Sequence, residues 1–182
     1  TSKRRPNPGF DAVVGNPPYE ELQEDEWGED ISEIDYFQAL DKYDRACSYR
    51  LNLYRFFITQ ALTLLKNRGR HSFIVPISIL GDRFTYPLRK QILEQASLNR
   101  VERFPQKDDP HDRVFPDAKL STCIYVMSAE RLENSTVFVR SHPGRDILKG
   151  SPSYQTSQDF FAEFDEANLT IPGIDQGAWD MI

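Results

Sequence analysis

The stretch Phe-Asp-Ala-Val-Val-Gly-Asn-Pro-Pro-Tyr, residues 10–19, decides the fold prediction. Its first six residues form a short run with two adjacent valines and a closing glycine, a composition typical of a buried β-strand. The two prolines that follow have no N–H to donate, and each disfavours helix in the residue before it. We therefore predict a strand over residues 10–15 that ends in a rigid loop, residues 16–19.

Strands and helices alternate downstream of this loop. Apolar residues spaced three and four apart predict an amphipathic helix over residues 51–65, and a second helix is predicted over residues 84–96. Further strands are predicted at residues 71–76, 100–104, 122–127 and 136–140. This alternation predicts an α/β fold with a largely parallel sheet, in which ligands bind beyond the carboxyl ends of the strands.

Charge is unevenly distributed along the 182 residues, whose net charge is −6. Residues 20–35 contain nine acidic side chains and no basic one, and we predict an exposed insertion there. Residues 42–90 contain ten basic and two acidic side chains, a net charge of 10 − 2 = +8. The overall negative charge argues weakly against a nucleic-acid partner, because phosphate binding depends on clustered Lys and Arg. A basic segment beside an acidic loop is nevertheless compatible with DNA binding.

Composition narrows the protein class. No apolar run approaches the roughly 18 residues of a membrane span, and no signal peptide precedes the first strand, so we expect a cytoplasmic protein. Cys47 and Cys123 lie outside any metal-ligand spacing, which predicts buried free thiols and no metal site. The chain has no initiator Met and runs almost at once into a strand, so we expect a fragment of a longer protein.

The loop at residues 16–19 suits an amino group on a planar ring. Asn16 offers a carboxamide oxygen, and the Pro17 carbonyl is a second acceptor on a stiff backbone. Tyr19 adds a flat aromatic face for stacking. The alternative is a simple turn that closes a strand, with Tyr19 as a packing residue.

Residues 10–19 resemble the catalytic motif of amino-group methyltransferases, especially the adenine-specific DNA methyltransferases of restriction-modification systems. The resemblance covers residues 10–128, because later motifs of that family follow in order at residues 52–57, 64–69, 73–76 and 115–122. It implies the C-terminal part of a Rossmann-like methyltransferase domain, with a largely parallel sheet and a late antiparallel strand. It also implies a bacterial or archaeal source.

The resemblance implies a mechanism for the loop. The enzyme would transfer a methyl group from S-adenosylmethionine to the exocyclic amine of an adenine flipped out of double-stranded DNA. Asn16 and Pro17 would accept the two amine hydrogens, and the lone pair of the nitrogen would then point at the methyl group. Pro18 completes the catalytic motif, and Tyr19 would stack on one face of the base.

The same resemblance assigns roles to four residues outside the loop. Phe115 would flank the flipped base, and Lys119 would steady its loop or contact a phosphate. Leu53 and Phe57, one helical turn apart, would line the adenine side of the cofactor pocket, although this spacing is also typical of a helix core. Phe104 begins a segment similar to that of Phe115 and is the alternative loop aromatic.

Parts of the family pattern are missing. The family's Gly-rich cofactor loop precedes the strand that residues 10–15 resemble, and no G-x-G occurs among the nine glycines. We therefore expect the isolated chain to bind S-adenosylmethionine poorly and to be inactive. Residues 1–128 are predicted to be a partial catalytic domain, and residues 129–182 an extension toward a target-recognition domain. A restriction endonuclease, fused or associated, is a further expected partner.

Two other functions fit the same sequence. A protein glutamine methyltransferase is possible on chemical grounds, because an amide nitrogen fits the same pair of acceptors. A non-catalytic DNA-binding module is the second alternative, with residues 42–90 as its phosphate-binding face.

Overall fold

A computed structural model describes residues 9–22, 31–47 and 51–173, and only the backbone of residues 31–34. The strands are β1 (Phe10–Gly15), β2 (Glu21–Leu22), β3 (Leu51–Asn52), β4 (Leu65–Pro76), β5 (Ser97–Phe104), β6 (Thr122–Ser128), β7 (Thr136–Ser141) and β8 (Ser153–Ser157). The α-helices of the described part are α1 (Ile31–Gln38), α2 (Leu53–Leu64), α3 (Tyr86–Gln95) and α4 (Phe160–Phe164). Single 3₁₀ turns occur at Asp41–Tyr43, Ile77–Leu80, Arg83–Thr85 and Pro110–Asp112.

Six strands form one sheet in the order β1-β4-β6-β5-β7-β8. Strands β1, β4, β5 and β7 point in one direction, because β1 is parallel to β4, β5 is parallel to β7, and β6 is antiparallel to both β4 and β5. This arrangement confirms the predicted α/β fold with its late antiparallel strand, β6. A second antiparallel strand, β8, was not predicted; it pairs with β7 at the end of the sheet.

The main core lies between one face of the sheet and helices α2, α3 and α4. Tyr54 and Ile58 of α2, Leu88 of α3 and Phe161 of α4 belong to one buried cluster with alternate residues of the central strands. Because β7, β8 and α4 share this sheet and core, residues 136–164 are continuous with the region that carries residues 16–19. The domain division at residue 128 stays a prediction.

Strand β1 is much less buried than its sequence predicted. Within the described part of the chain it pairs only with β4. Phe10 and Val14 are 60% and 77% exposed, whereas Val13, on the other face, packs against the core. The apolar pattern correctly predicts a strand, but burial was wrong because β1 stands at the edge of the sheet and helices α2 to α4 cover the opposite face.

The acidic region contains more regular structure than the predicted exposed insertion. Strand β2, near the start of the predicted insertion, pairs antiparallel with β3, sixteen residues beyond its predicted end at residue 35. Helix α1 begins within the insertion, and Phe37 stacks on Phe56 of α2 with ring centroids 4.1 Å apart. Residues 23–30, half of the acidic stretch, lie outside the described residues.

The described residues contain neither a membrane-spanning helix nor a metal-binding cluster. None of the described helices is long and apolar enough to cross a membrane. Within the same residues, His, Cys, Asp and Glu nowhere gather in groups of three or more with metal-binding geometry.

Candidate functional site

The carboxyl ends of β1, β4, β5 and β7 meet at one edge of the sheet, which we call the carboxyl edge. The loop of residues 16–19 follows β1 at this edge. The segment of residues 105–121 follows β5, and the segment of residues 142–152 follows β7. This edge is where open α/β sheets bind ligands, so three loops of the chain lie at the expected place.

The four residues of the loop at 16–19 differ in how far they are exposed to solvent. Asn16 and Pro18 are exposed, Pro17 is buried, and Tyr19 is half-buried. The Leu53 N–H donates a 2.8 Å hydrogen bond to the carbonyl of Glu20 and ties the loop to the start of α2. No described residue hydrogen-bonds to the Asn16 carboxamide, which is thus open to a ligand.

Tyr19 is fixed by the neighbouring strand. Its hydroxyl donates to the Ile74 carbonyl of β4 at 2.9 Å, and its ring meets Tyr54 edge to face at 6.4 Å. Burial, with a smaller contribution from Cys123, raises the pKa of Tyr19 to about 12. The hydroxyl therefore stays protonated at neutral pH and acts as a hydrogen-bond donor, not as a general base.

Phe115 is the loop aromatic that reaches Tyr19. The two ring centroids are 6.0 Å apart, with an interplanar angle of 75°. Phe104, the alternative, is 2% exposed and stacks on His142 at the end of β5. A base between two parallel rings needs about 7–8 Å between them, two contacts of 3.5–4.0 Å. Phe115 must therefore rotate or shift before a base can lie between it and Tyr19.

The loop that carries Phe115 is held by cations. Lys119 forms a 2.6 Å ion pair with Asp108, and this hydrogen bond and charge lower the pKa of the Asp108 carboxyl. The Arg113 guanidinium donates to the carbonyls of Lys107, Asp108 and Pro116 at 2.8, 2.6 and 3.0 Å. This ion pair is compatible with one of the two predicted roles of Lys119, which both stay predictions. Arg113 was not singled out from the sequence.

Leu53 and Phe57 have different environments although they lie one turn apart on α2. Leu53 is partly buried against a second apolar cluster that contains Tyr43 and Phe56. Phe57 is 46% exposed and lines an open pocket of about 190 Å³ with Phe37, Tyr43, Phe56 and Gln60. The packing alternative fits Leu53, whereas the Phe57 ring is open to a ligand; the cofactor role of both residues stays a prediction.

The basic residues between 42 and 90 that the structure describes do not form one surface. Arg55 and Arg89 are 3% and 1% exposed and lie inside the fold. Arg45, Lys66 and Arg68 form ion pairs with Glu94, Asp11 and Glu130. The net charge of this segment is thus partly buried and partly neutralised, which disfavours a single phosphate-binding face built from it.

Comparison with known proteins identifies the family. A family model described as the Eco57I restriction-modification methylase matches residues 2–110. No curated protein matches the chain. Among solved structures, the methyltransferase subunit of a type I restriction-modification system from Streptococcus thermophilus superposes with a TM-score of 0.63 at 15% identity, over 96% of this chain and 39% of that one.

Two other solved structures share the fold. The type IIG restriction endonuclease BpuSI has a TM-score of 0.59 at 13% identity, over 92% of this chain and 21% of that one. A nuclease-deletion mutant of the type ISP restriction-modification enzyme LlaGI, solved with a DNA substrate mimic, has a TM-score of 0.55 at 18% identity, over 93% of this chain and 18% of that one.

The chain spans well under half the length of each of these three proteins. At these low sequence identities, the superpositions show a shared fold and no more. The family model, in contrast, matches more than half of the 182 residues. The chain belongs to the family of Eco57I-type restriction-modification methylases.

Proposed function

We propose that the full-length protein methylates the exocyclic amine of adenine in double-stranded DNA, with S-adenosylmethionine as methyl donor. The observation that carries this proposal is the arrangement at the carboxyl edge. There an exposed Asn16 carboxamide stands beside an aromatic pair, Tyr19 and Phe115. Two acceptors and aromatic rings match a flat base with an exocyclic amine.

The proposed mechanism uses the loop to position the amine. The adenine leaves the duplex, because its amino nitrogen cannot be reached inside the base stack. The Asn16 side-chain oxygen and the Pro17 carbonyl accept the two amine hydrogens, which draws the lone pair out of conjugation with the ring. The Tyr19 hydroxyl donates to Ile74 and is therefore not the base. The proton that the amine loses on methylation would pass to water.

S-adenosylmethionine supplies an electrophilic methyl group when it is bound. The exposed Phe57 ring and its open apolar pocket fit the adenine end of this cofactor. The sequence has no G-x-G, so we propose that the groups for methionine and ribose lie elsewhere in the full-length protein. The exposed side chains of Phe10 and Val14 make the uncovered face of β1 a suitable place for that part to pack.

A protein glutamine is the second candidate substrate, because its amide nitrogen fits the same acceptors. The contact between Tyr19 and Phe115 favours a base, since two aromatic rings at the site provide stacking surface that a small amide does not use. The restriction-modification family also favours DNA.

The test is methyl transfer by the full-length protein from labelled S-adenosylmethionine to unmethylated duplex DNA. We expect Asn16→Ala to lower kcat by about a hundredfold or more, as the loss of one positioned hydrogen-bonding group does elsewhere. Asn16→Asp is the matched control, because its carboxylate keeps an acceptor oxygen at the same place, and we expect it to retain more activity than Asn16→Ala.

The position of the label distinguishes the substrates. Nucleoside analysis should find it on the exocyclic amine of adenine. Label on glutamine in a protein would replace the proposal with the alternative substrate. Equal transfer by the wild type and by Asn16→Ala would show that the loop of residues 16–19 is not the site.

A further inference from the structure

The segment of residues 142–152, which we call the β7–β8 loop, exposes an apolar tip between two cations. Ile147 and Leu148 are 59% and 47% exposed. Arg145, Asp146 and Lys149 beside them are also exposed, and within the described part of the chain neither cation forms an ion pair. Adjacent exposed aliphatic side chains flanked by cations are typical of a contact surface more than of a packing element.

The base of this loop is fixed by buried polar contacts. His142 is 4% exposed, and its Nε2 lies 2.8 Å from Glu102 Oε2. Its Nδ1 accepts the Leu148 N–H at 3.2 Å and lies 3.1 Å from Ser151 Oγ. Because Nδ1 accepts this N–H, the ring proton is on Nε2 and is donated to Glu102. His142 therefore holds both ends of the loop and the backbone of its tip.

Glu102 extends this network into the sheet. Its other carboxylate oxygen accepts from Arg100 of the same strand, and Phe104 stacks on the His142 ring. The Arg100 side chain is 44% exposed, so solvent screens its ion pair with Glu102 and the contribution of this pair to stability is small. A network that fixes an exposed loop is better explained by the position of the tip than by stability.

The geometry places the tip within reach of the same duplex as Asn16. Both loops lie at the carboxyl edge, and β7 is four strand positions from β1 in the sheet order. At about 4.8 Å per strand this is roughly 19 Å. A duplex rises about 3.4 Å per base pair, so the two loops are separated by about five or six base pairs along a straight helix.

We propose that the β7–β8 loop is a DNA-binding element for the duplex beside the target base. Arg145 and Lys149 bind backbone phosphates, and Ile147 and Leu148 contact the sugars and base edges of the adjoining groove. The inference rests on the proposed function and adds a second contact region to it. Charge complementarity selects the partner, because residues 145–149 carry two cations without ion pairs and one acidic residue, Asp146, and so keep a net charge of 2 − 1 = +1 that suits a phosphate backbone.

The test compares DNA affinity of full-length variants by fluorescence anisotropy on a duplex substrate, at several salt concentrations. We expect the double substitution Arg145→Gln and Lys149→Gln to weaken binding by at least about tenfold at 0.1 M salt. The slope of log affinity against log salt concentration should also become less steep by about 1.8, because each lost phosphate contact accounts for about 0.9.

Two further variants separate the contributions. Ile147→Ser should weaken binding by about threefold and leave the salt slope unchanged, because an apolar contact releases no counterions. Arg68→Gln is the matched control: Arg68 has an 82% exposed side chain but stands near the amino end of β4, at the opposite edge of the sheet. It should leave affinity unchanged.

The outcomes separate this inference from the proposed function. We expect the loop variants to raise the KM for DNA by about the factor by which their affinity falls, whereas Asn16→Ala lowers kcat and keeps the affinity for DNA. An unchanged salt slope in the double variant, or an equal loss in Arg68→Gln, would overturn the DNA-binding role of the loop. Transfer unaffected by Asn16→Ala would instead overturn the proposed function and leave the loop's affinity effect standing.

Discussion

The two ends of the sheet differ in how completely they are packed. At the end that carries the candidate site, Phe10 and Val14 of β1 are largely exposed. In the adjoining β4, His71 is fully buried, and within the described residues neither of its ring nitrogens has a hydrogen-bond partner. At the other end, Val137 and Val139 of β7 are fully buried.

Most buried polar side chains near β7 are paired, except that Nε of Arg140 in β7 is buried without a partner among the described residues. Gln158 accepts from the Leu98 N–H and donates to the carbonyls of Leu93 and Ala96. Arg89 of α3, which lies beside Leu98 of β5 and Tyr125 of β6, also donates to several backbone carbonyls. The comparison teaches that β7 is buried in the described core, whereas the candidate chemistry follows β1, whose residues are largely exposed.

The largest effect expected from this comparison is at Arg89, which is 1% exposed. Its guanidinium donates to the carbonyls of Ile79, Asn168 and Leu169. Burial lowers the pKa of Arg89 to about 10, so the side chain is still charged at neutral pH. Arg89→Met should lower the free energy of unfolding by about 3–5 kcal/mol, because each carbonyl left without a donor costs about 1–3 kcal/mol.

Urea unfolding measures this effect, and Lys90→Met is the control. Lys90 is the next residue of the same helix, and its side chain is 45% exposed. Its replacement should change stability by less than about 0.5 kcal/mol. If Arg89→Met cost as little as Lys90→Met, the hydrogen bonds of the buried guanidinium would not be what stabilises this part of the core.

A pair of valine substitutions tests the comparison directly. Val139 is fully buried in β7, and Val14 is 77% exposed in β1. Val139→Ala should destabilise the chain by about 2–3 kcal/mol, from two lost methyl groups of about 0.8 kcal/mol each and the cavity that they leave. Val14→Ala should cost less than about 0.5 kcal/mol.

Urea unfolding of the full-length protein with the same two substitutions tests whether β1 is covered there. A larger cost of Val14→Ala there than in the 182-residue chain would show that β1 gains neighbours. Equal costs of the two substitutions in the 182-residue chain itself would contradict the exposure of β1.

Much of this fold follows from sequence periodicity. The bounds of β1 were predicted to the residue, and those of α2 and β6 within two residues, because apolar spacing differs clearly between helix and strand. The exposure of β1 was missed, since a run rich in valine reads the same in a central strand and in an edge strand. Strand β8 was missed because its sequence, Ser-Tyr-Gln-Thr-Ser, has no apolar alternation.

The candidate site was partly predictable for a similar reason. The place of Asn16 follows from the rule that ligands bind at the carboxyl ends of parallel strands. The pairing of His142 with Glu102 was not predictable, because the two side chains are 40 residues apart and neither belongs to a local motif. Such pairs arise from strand order, here from β5 lying next to β7.

The smallest predicted effect concerns pH and lies at the β1 end. Burial lowers the pKa of His71 from 6.5 to about 4, and the ring packs edge to face on Phe73 and Tyr125. Between these two pKa values the unfolded chain binds a proton that the folded chain does not, so stability must fall as the pH falls through this window. With one pKa unit worth about 1.4 kcal/mol, the loss between pH 7 and pH 5 is about 2 kcal/mol.

Urea unfolding at the two pH values measures the loss, with His71→Phe as the reference variant. The phenyl ring keeps the aromatic packing and cannot be protonated, so the difference in pH dependence between wild type and variant isolates His71 from the other histidines and the carboxylates. If the two proteins lost equal stability between pH 7 and pH 5, a partner for the His71 ring must exist in the folded protein. The β1 end would then resemble the β7 end in pairing its buried polar groups.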